Sequence, residues 1–100
     1  MPADGEAMKA AFDRLEKLLE FPVENYPIKV MGARVDDFAQ QIAGLARCHV
    51  PDFDPASIDL RSSSRGNWLS LTLIVRIDSR EQLEALYRDL AAHPLVRIVL

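Results

Sequence analysis

The sequence predicts an α+β domain: a ferredoxin-like βαββαβ sandwich, with a four-stranded antiparallel sheet, two helices on one face and an extra N-terminal helix. Three observations carry this reading. Leu69, Leu71, Leu73, Val75 and Ile77 alternate with Trp68, Ser70, Thr72, Ile74 and Arg76, the period-two pattern of a half-buried strand. Val35, Phe38, Ile42 and Leu45 repeat at helical spacing, as do Leu83, Leu86, Tyr87 and Leu90. Strand and helix segments follow one another in the order β-α-β-β-α-β, which lays both helices on the same side of the sheet.

The elements take their places in order. Residues 1–20 form an amphipathic segment, and residues 21–100 the ferredoxin-like domain. Within the first, Met8, Ala11, Phe12, Leu15, Leu18 and Leu19 make one apolar stripe over Glu6–Glu20, which predicts a helix. Asp4 and Glu6 suit the positive end of its dipole, and Phe21-Pro22 stops it. Tyr26–Met31 reads as the first strand, punctuated by Gly32. A helix is expected from Val35, with Asp36 and Asp37 in its first turn and Pro51 forcing an exit by Val50. Ser57–Ser64 is a weaker strand. Arg65-Gly66 supplies the hairpin turn, because glycine tolerates positive φ. Asn67–Ile77 is the strongest strand. Ser79 and Gln82 have the spacing of a capping box for the next helix, which Pro94 ends before a last strand over Leu95–Leu100.

Right-handed crossovers put the first strand and Asn67–Ile77 at the centre, with the strands at Ser57 and Leu95 as edges. The sheet face away from the helices then presents Lys29, Met31, Asp59, Arg61, Ser70, Thr72, Ile74, Arg76, Arg97 and Val99. Four cations and one acid gather there. A slip of one residue in any strand would turn its members inward.

Bulk properties exclude more than they identify. The chain has 100 residues, 49% hydrophobic and 27% charged, which suits one ordinary globular domain. Twelve Lys plus Arg against fifteen Asp plus Glu leave a net charge of −3, so bulk charge gives no reason to bind nucleic acid or an anionic membrane. One cysteine cannot form an internal disulfide, and a reducing, cytoplasmic location is expected. No signal peptide is read at the acidic N-terminus, and no apolar run is long enough to span a membrane.

Catalytic groupings are missing from the pattern. Cys48 and His49 adjoin in sequence, but a nucleophile and its base are matched in space. His49 and His93 have no sequence-close metal-ligand partners, so neither metal nor cofactor is expected. Gly32-Ala33-Arg34 with Asn67 faintly resembles the phosphate loop of acylphosphatases. That loop lacks a second glycine, and Asp36-Asp37 put negative charge where phosphate would bind. RNA-recognition motifs share the topology but stack bases on central-strand aromatics, where this chain has Asn67, Leu69 and Leu71, with Trp68 the only ring on that strand. The chain is not read as an enzyme.

A family resemblance runs from about Leu15 to Leu100. It is carried by Leu18-Leu19-Glu20-Phe21-Pro22, Lys29-Val30-Met31-Gly32, Ser63-Ser64-Arg65-Gly66-Asn67-Trp68, Glu81-Gln82, Leu86-Tyr87 and Val96-Arg97-Ile98-Val99-Leu100. Together these resemble the YbeD-like family, small bacterial proteins of unknown function proposed as lipoate-regulatory. The chain departs from the family at Ser62, often proline, at Arg65, lysine, and at Trp68, tyrosine. Its extension before Leu15 is longer.

The resemblance implies a fold similar to the ACT regulatory domains and no established activity. The expected function is a non-catalytic regulatory or small-ligand-sensing module, linked to lipoate metabolism and homodimeric through its edge strands. Gly32 and Arg34 are carried over from the ACT-like ligand position after the first strand. If the ligand is a short fatty carboxylate such as lipoate or octanoate, Lys29 or Arg97 would pair with its head group. The alternative is a protein-interaction adaptor without a small ligand, using the N-terminal stripe or the open face. The loop Arg65, Gly66, Asn67 and Trp68 would then present a cation, an amide and a ring to a partner.

Overall fold

A computed structural model of the chain describes residues 20–63 and 65–100. The helix expected over Glu6–Glu20 lies outside the described residues, except for the exposed, non-helical Glu20. The described chain runs β1 (Val23–Ala33), α1 (Phe38–His49), a short 3-10 turn (Pro55–Ser57), β2 (Asp59–Ser62), β3 (Trp68–Ile77), α2 (Arg80–Ala92) and β4 (Val96–Val99). The sheet order is β2-β3-β1-β4, and every pairing is antiparallel. The two central strands and the two edges are those that the sequence predicts.

The core lies between the sheet and the helices. The alternation of β3 buries Leu69, Leu71, Leu73, Val75 and Ile77, and β1 adds Ile28 and Val30. Against them pack Phe38, Ile42, Ala43 and Ala46 from α1 and Leu83, Leu86, Tyr87 and Leu90 from α2. Each large aliphatic side chain buried here contributes about 1.5–3 kcal/mol.

Element boundaries depart from expectation for local reasons. β1 extends to Val23 through a register irregularity between Val23 and Tyr26, and so carries Pro27. Proline has no N–H to give a ladder. The β1 residues that point towards β4 are the odd-numbered ones, as the bond from Lys29 N–H to the Leu100 carbonyl shows, and β4 does not reach Pro27. The missing donor therefore faces an unpaired side. α1 starts at Phe38 rather than Val35, because Val35 to Phe38 close a turn through Phe38 N–H and the Val35 carbonyl at 3.1 Å. Asp36 and Asp37 precede the helix, and the Asp37 carboxylate accepts from Gln41 Nε2 at 2.8 Å.

β2 is shorter than Ser57–Ser64. Asp54 captures Ala56 N–H at 3.0 Å and Ser57 Oγ donates to the Asp54 carbonyl at 2.6 Å, which commits Pro55–Ser57 to the 3-10 turn. Gly66 has φ of 72°, as the hairpin reading requires. Ser79 caps α2 by accepting from Gln82 N–H at 3.2 Å. The Gln82 side chain does not close the expected box. Its Oε1 accepts from Asp78 N–H at 2.7 Å, and its Nε2 donates to the His49 carbonyl at 2.8 Å, tying α2 to the end of α1.

Candidate ligand and partner surface

Pairing register decides which residues share the open face. Lys29 lies opposite Thr72, Met31 opposite Ser70, and Ala33 opposite Trp68, while Asp59 and Arg61 sit across Thr72 and Ser70 on the other side. Val99 is a correction. A register irregularity in β4 sets Ile98 opposite Met31 and Val99 opposite Val30, so Val99 packs towards the core. Ile98 and Leu100 take its place outside, 48% and 61% exposed. Together with Trp68 and Ile74, at 45% and 40%, they make the face more apolar than the sequence alternation implies.

Its four cations divide into two kinds. Arg76 contacts Glu24 at 3.1 Å and Asp78 at 3.0 Å, and the hydrogen bond it donates to Asp78, with the Glu24 charge, raises its pKa. Arg61 Nε lies 3.2 Å from Asp59. Lys29 and Arg97 have no carboxylate partner among the described residues. The Arg97 guanidinium carbon lies 5.7 Å from the centroid of the Trp68 ring, within cation–π range. Arg97 thus lies beside an exposed ring at one end of the face, and Lys29, opposite Leu100, lies further along β1.

Gly32, near the end of β1, and Arg34, just after it, both make contacts within the chain. A Cβ built on Gly32 would lie 2.3 Å from the Leu95 carbonyl oxygen and 2.5 Å from the Phe38 ring, so the glycine lets β1 pass closely beneath both. Arg34 Nη1 donates to the Gly66 carbonyl at 3.0 Å and pins the β2–β3 hairpin to the β1–α1 connection. In that hairpin, Arg65, Asn67 and Trp68 are exposed, and Ser63 Oγ accepts from the N–H groups of Asn67 and Trp68 at 3.1 and 3.2 Å. Lys29 and Arg97 share the open face, whereas Gly32 and Arg34 are engaged elsewhere.

His49 Nε2 lies 2.6 Å from Asp89 Oδ2, joining α1 to α2, while Cys48 is exposed and makes no hydrogen bond among the described residues. His93 accepts from Leu95 N–H through Nδ1 at 3.1 Å, which leaves Nε2–H to donate to Gln41 Oε1 at 2.9 Å. Among the described residues no three or more His, Cys, Asp or Glu side chains are grouped to hold a metal ion, and no helix is long and apolar enough to cross a membrane.

Sequence reasoning missed a second surface on the helix side. A groove of about 430 Å³ runs between α1 and β2, lined by Ala39, Ala43, Gly44 and Arg47 against Ile58 and Leu60. Its signals were a glycine in mid-helix and a leucine on the weakest strand, each unremarkable alone.

Comparison with known proteins places this geometry in a family. The profile described as "Protein of unknown function (DUF493)" matches residues 16–100. A UPF0250 protein of Ralstonia nicotianae is 53% identical over 85 residues, covering 85% of this chain and 87% of its own. UPF0250 proteins of Bordetella pertussis and Nitrosomonas europaea are 51% and 40% identical, each over 85% of this chain and over 92% and 97% of their own. Among solved structures, the ACT domain from the GTP pyrophosphokinase of Chlorobium tepidum superposes with a TM-score of 0.54 at 18% identity, over 77% of this chain and 95% of that domain. That likeness is one of fold, and it supports the ACT-like architecture expected of the YbeD-like proteins. With its family profile matched from residue 16 to its last residue, the chain belongs to the DUF493 family, the UPF0250 proteins.

Proposed function

We propose that the protein is a non-catalytic regulatory module whose open sheet face binds a small amphipathic carboxylate, a short fatty acid of the octanoate or lipoate kind. The observation that carries this is the Arg97 guanidinium beside the exposed Trp68 ring, with exposed Ile98 and Leu100 running along β4 towards Lys29 on the same face, neither cation paired with a carboxylate among the described residues. A charge-assisted hydrogen bond would hold the head group, and the apolar residues would shed water against the tail. The ACT-like fold supports the regulatory part of the reading.

Trp68 is the chain's one tryptophan and stands on this face, so its fluorescence reads binding directly. Octanoate, lipoate, a panel of amino acids and octanamide as the uncharged control are titrated against the protein, with thermal shift in parallel. The carboxylates are expected to change Trp68 emission and raise Tm, by roughly 10 °C or more at 100-fold excess over Kd. Octanamide should act weakly, and Lys29→Ala/Arg97→Ala should respond to none. Silence across the panel removes the sensing function. The adaptor reading would then stand on the exposed Arg65, Asn67 and Trp68 of one hairpin, with partner capture that Arg65→Ala abolishes as its mark.

A further inference from the structure

The two helices leave one strip of the sheet bare. The core-facing side chains of β3 and the buried Ile28 and Val30 of β1 are at most 8% exposed, whereas Leu60 of β2 is 47% exposed. Leu60 pairs with Leu71 and so points to that same helix side. Beside it lies the groove of about 430 Å³, with Ala39, Ala43 and Gly44 of α1 on one side and Ile58 and Leu60 on the other. Gly44 stands in mid-helix, where glycine weakens a helix relative to alanine, and a Cβ built on it meets nothing within 4 Å. Nothing within the described chain requires a glycine there. A helix face of small residues is what lets a second helix approach to about 8 Å, the short end of the range for packed helices.

Charge distinguishes the two ends of the groove. Arg47 lines it near the C-terminal end of α1, exposed and with no carboxylate partner among the described residues. Ala39 and Gln40 line the other end, where exposed Asp36 and Asp37 lead into the helix.

We infer that an amphipathic helix of a partner protein docks in this groove, antiparallel to α1, as a third helix over the sheet. Its apolar side would cover Ile58 and Leu60, and its backbone would pass close to Gly44. The direction follows from charge. A helix is stabilised by acidic residues in its first turn and basic residues in its last. Only the antiparallel orientation sets the acidic turn beside Arg47 and the basic turn beside Asp36 and Asp37, and it also opposes the two helix dipoles. The groove lies on the other side of the sheet from Lys29 and Arg97, so the inference stands apart from the ligand reading and is tested without any ligand.

The test is fluorescence anisotropy of a labelled helical peptide of about 18 residues titrated with the full chain. The peptide carries leucines at helical spacing along one face, glutamates in its first turn and lysines in its last; its twin has the two charged turns exchanged. The first peptide should bind about fivefold more tightly than its twin at low ionic strength, and Arg47→Glu should cancel or reverse that preference. Gly44→Gln, placed in open space of the single chain, should keep its thermal stability yet bind the first peptide at least about tenfold more weakly, since the helices can no longer approach. Equal affinity for the two peptides would overturn the inference, as would binding indifferent to Gly44→Gln, the mark of a strand added at the β2 edge instead. A wild type that binds neither peptide at up to about 1 mM would overturn it too, and this is the result expected if residues 1–19 or a second copy already fill the groove.

Discussion

Replacing Gly32 with alanine puts the tightest contact of the fold under load. The added Cβ would stand 2.3 Å from the Leu95 carbonyl oxygen and 2.5 Å from Phe38 Cζ, about 1 Å short of ordinary contact, which begins at 3.4 Å. Neither neighbour yields easily. Phe38 is fully buried, and the Leu95 carbonyl accepts from Ala33 N–H at 2.9 Å, the bond that holds the approach to β4 against β1. Overpacking of this kind costs about 1–3 kcal/mol, and losing the backbone bond adds about 0.5–1.5. The variant should therefore lose roughly 2–4 kcal/mol, or roughly 10–25 °C in Tm for a domain of this size. Urea and thermal unfolding followed by circular dichroism measure it. A loss below about 0.5 kcal/mol would mean that the strand and ring relax freely, and the packing role given to Gly32 would be wrong.

Three further outcomes follow from the same contacts. Gly44→Ala, at a mid-helix site with open space around it, should raise stability by about 0.5–1 kcal/mol in urea unfolding at low protein concentration. Gln82→Ala removes the bonds to Asp78 N–H and the His49 carbonyl while leaving the Ser79 cap, and should cost about 1–3 kcal/mol in the same assay. Burial, with Tyr26 beside it, pushes the Tyr87 phenol above its usual pKa, and its hydroxyl donates to the Leu100 carbonyl at 3.2 Å. The unfolded chain gives up this proton first, near pH 10, so the contribution is complete below about pH 10 and stability falls as pH rises beyond it. Tyr87→Phe should flatten that alkaline slope in unfolding curves taken between neutral and high pH.

The β3 alternation settled much of the architecture in advance, because a strand with five aliphatic residues on one side can lie only at the centre of a one-sided sheet. What the sequence concealed were events between segments. The irregularity that turns Ile98 out and Val99 in depends on how β4 meets β1, and no pattern within Leu95–Leu100 signals it. Gly32 was legible as a place of close approach, but the approaching atoms belong to Leu95 and Phe38 of this chain. Gln82 was legible as a helix-start residue. Its bond to the His49 carbonyl joins residues 33 apart in sequence and depends on the two helices lying end by end. Lys29 lies on the open face because β1 alternates regularly there, Arg97 sits at the β4 irregularity itself, and the groove at Gly44 joins a helix to an edge strand that period-two reasoning treats separately.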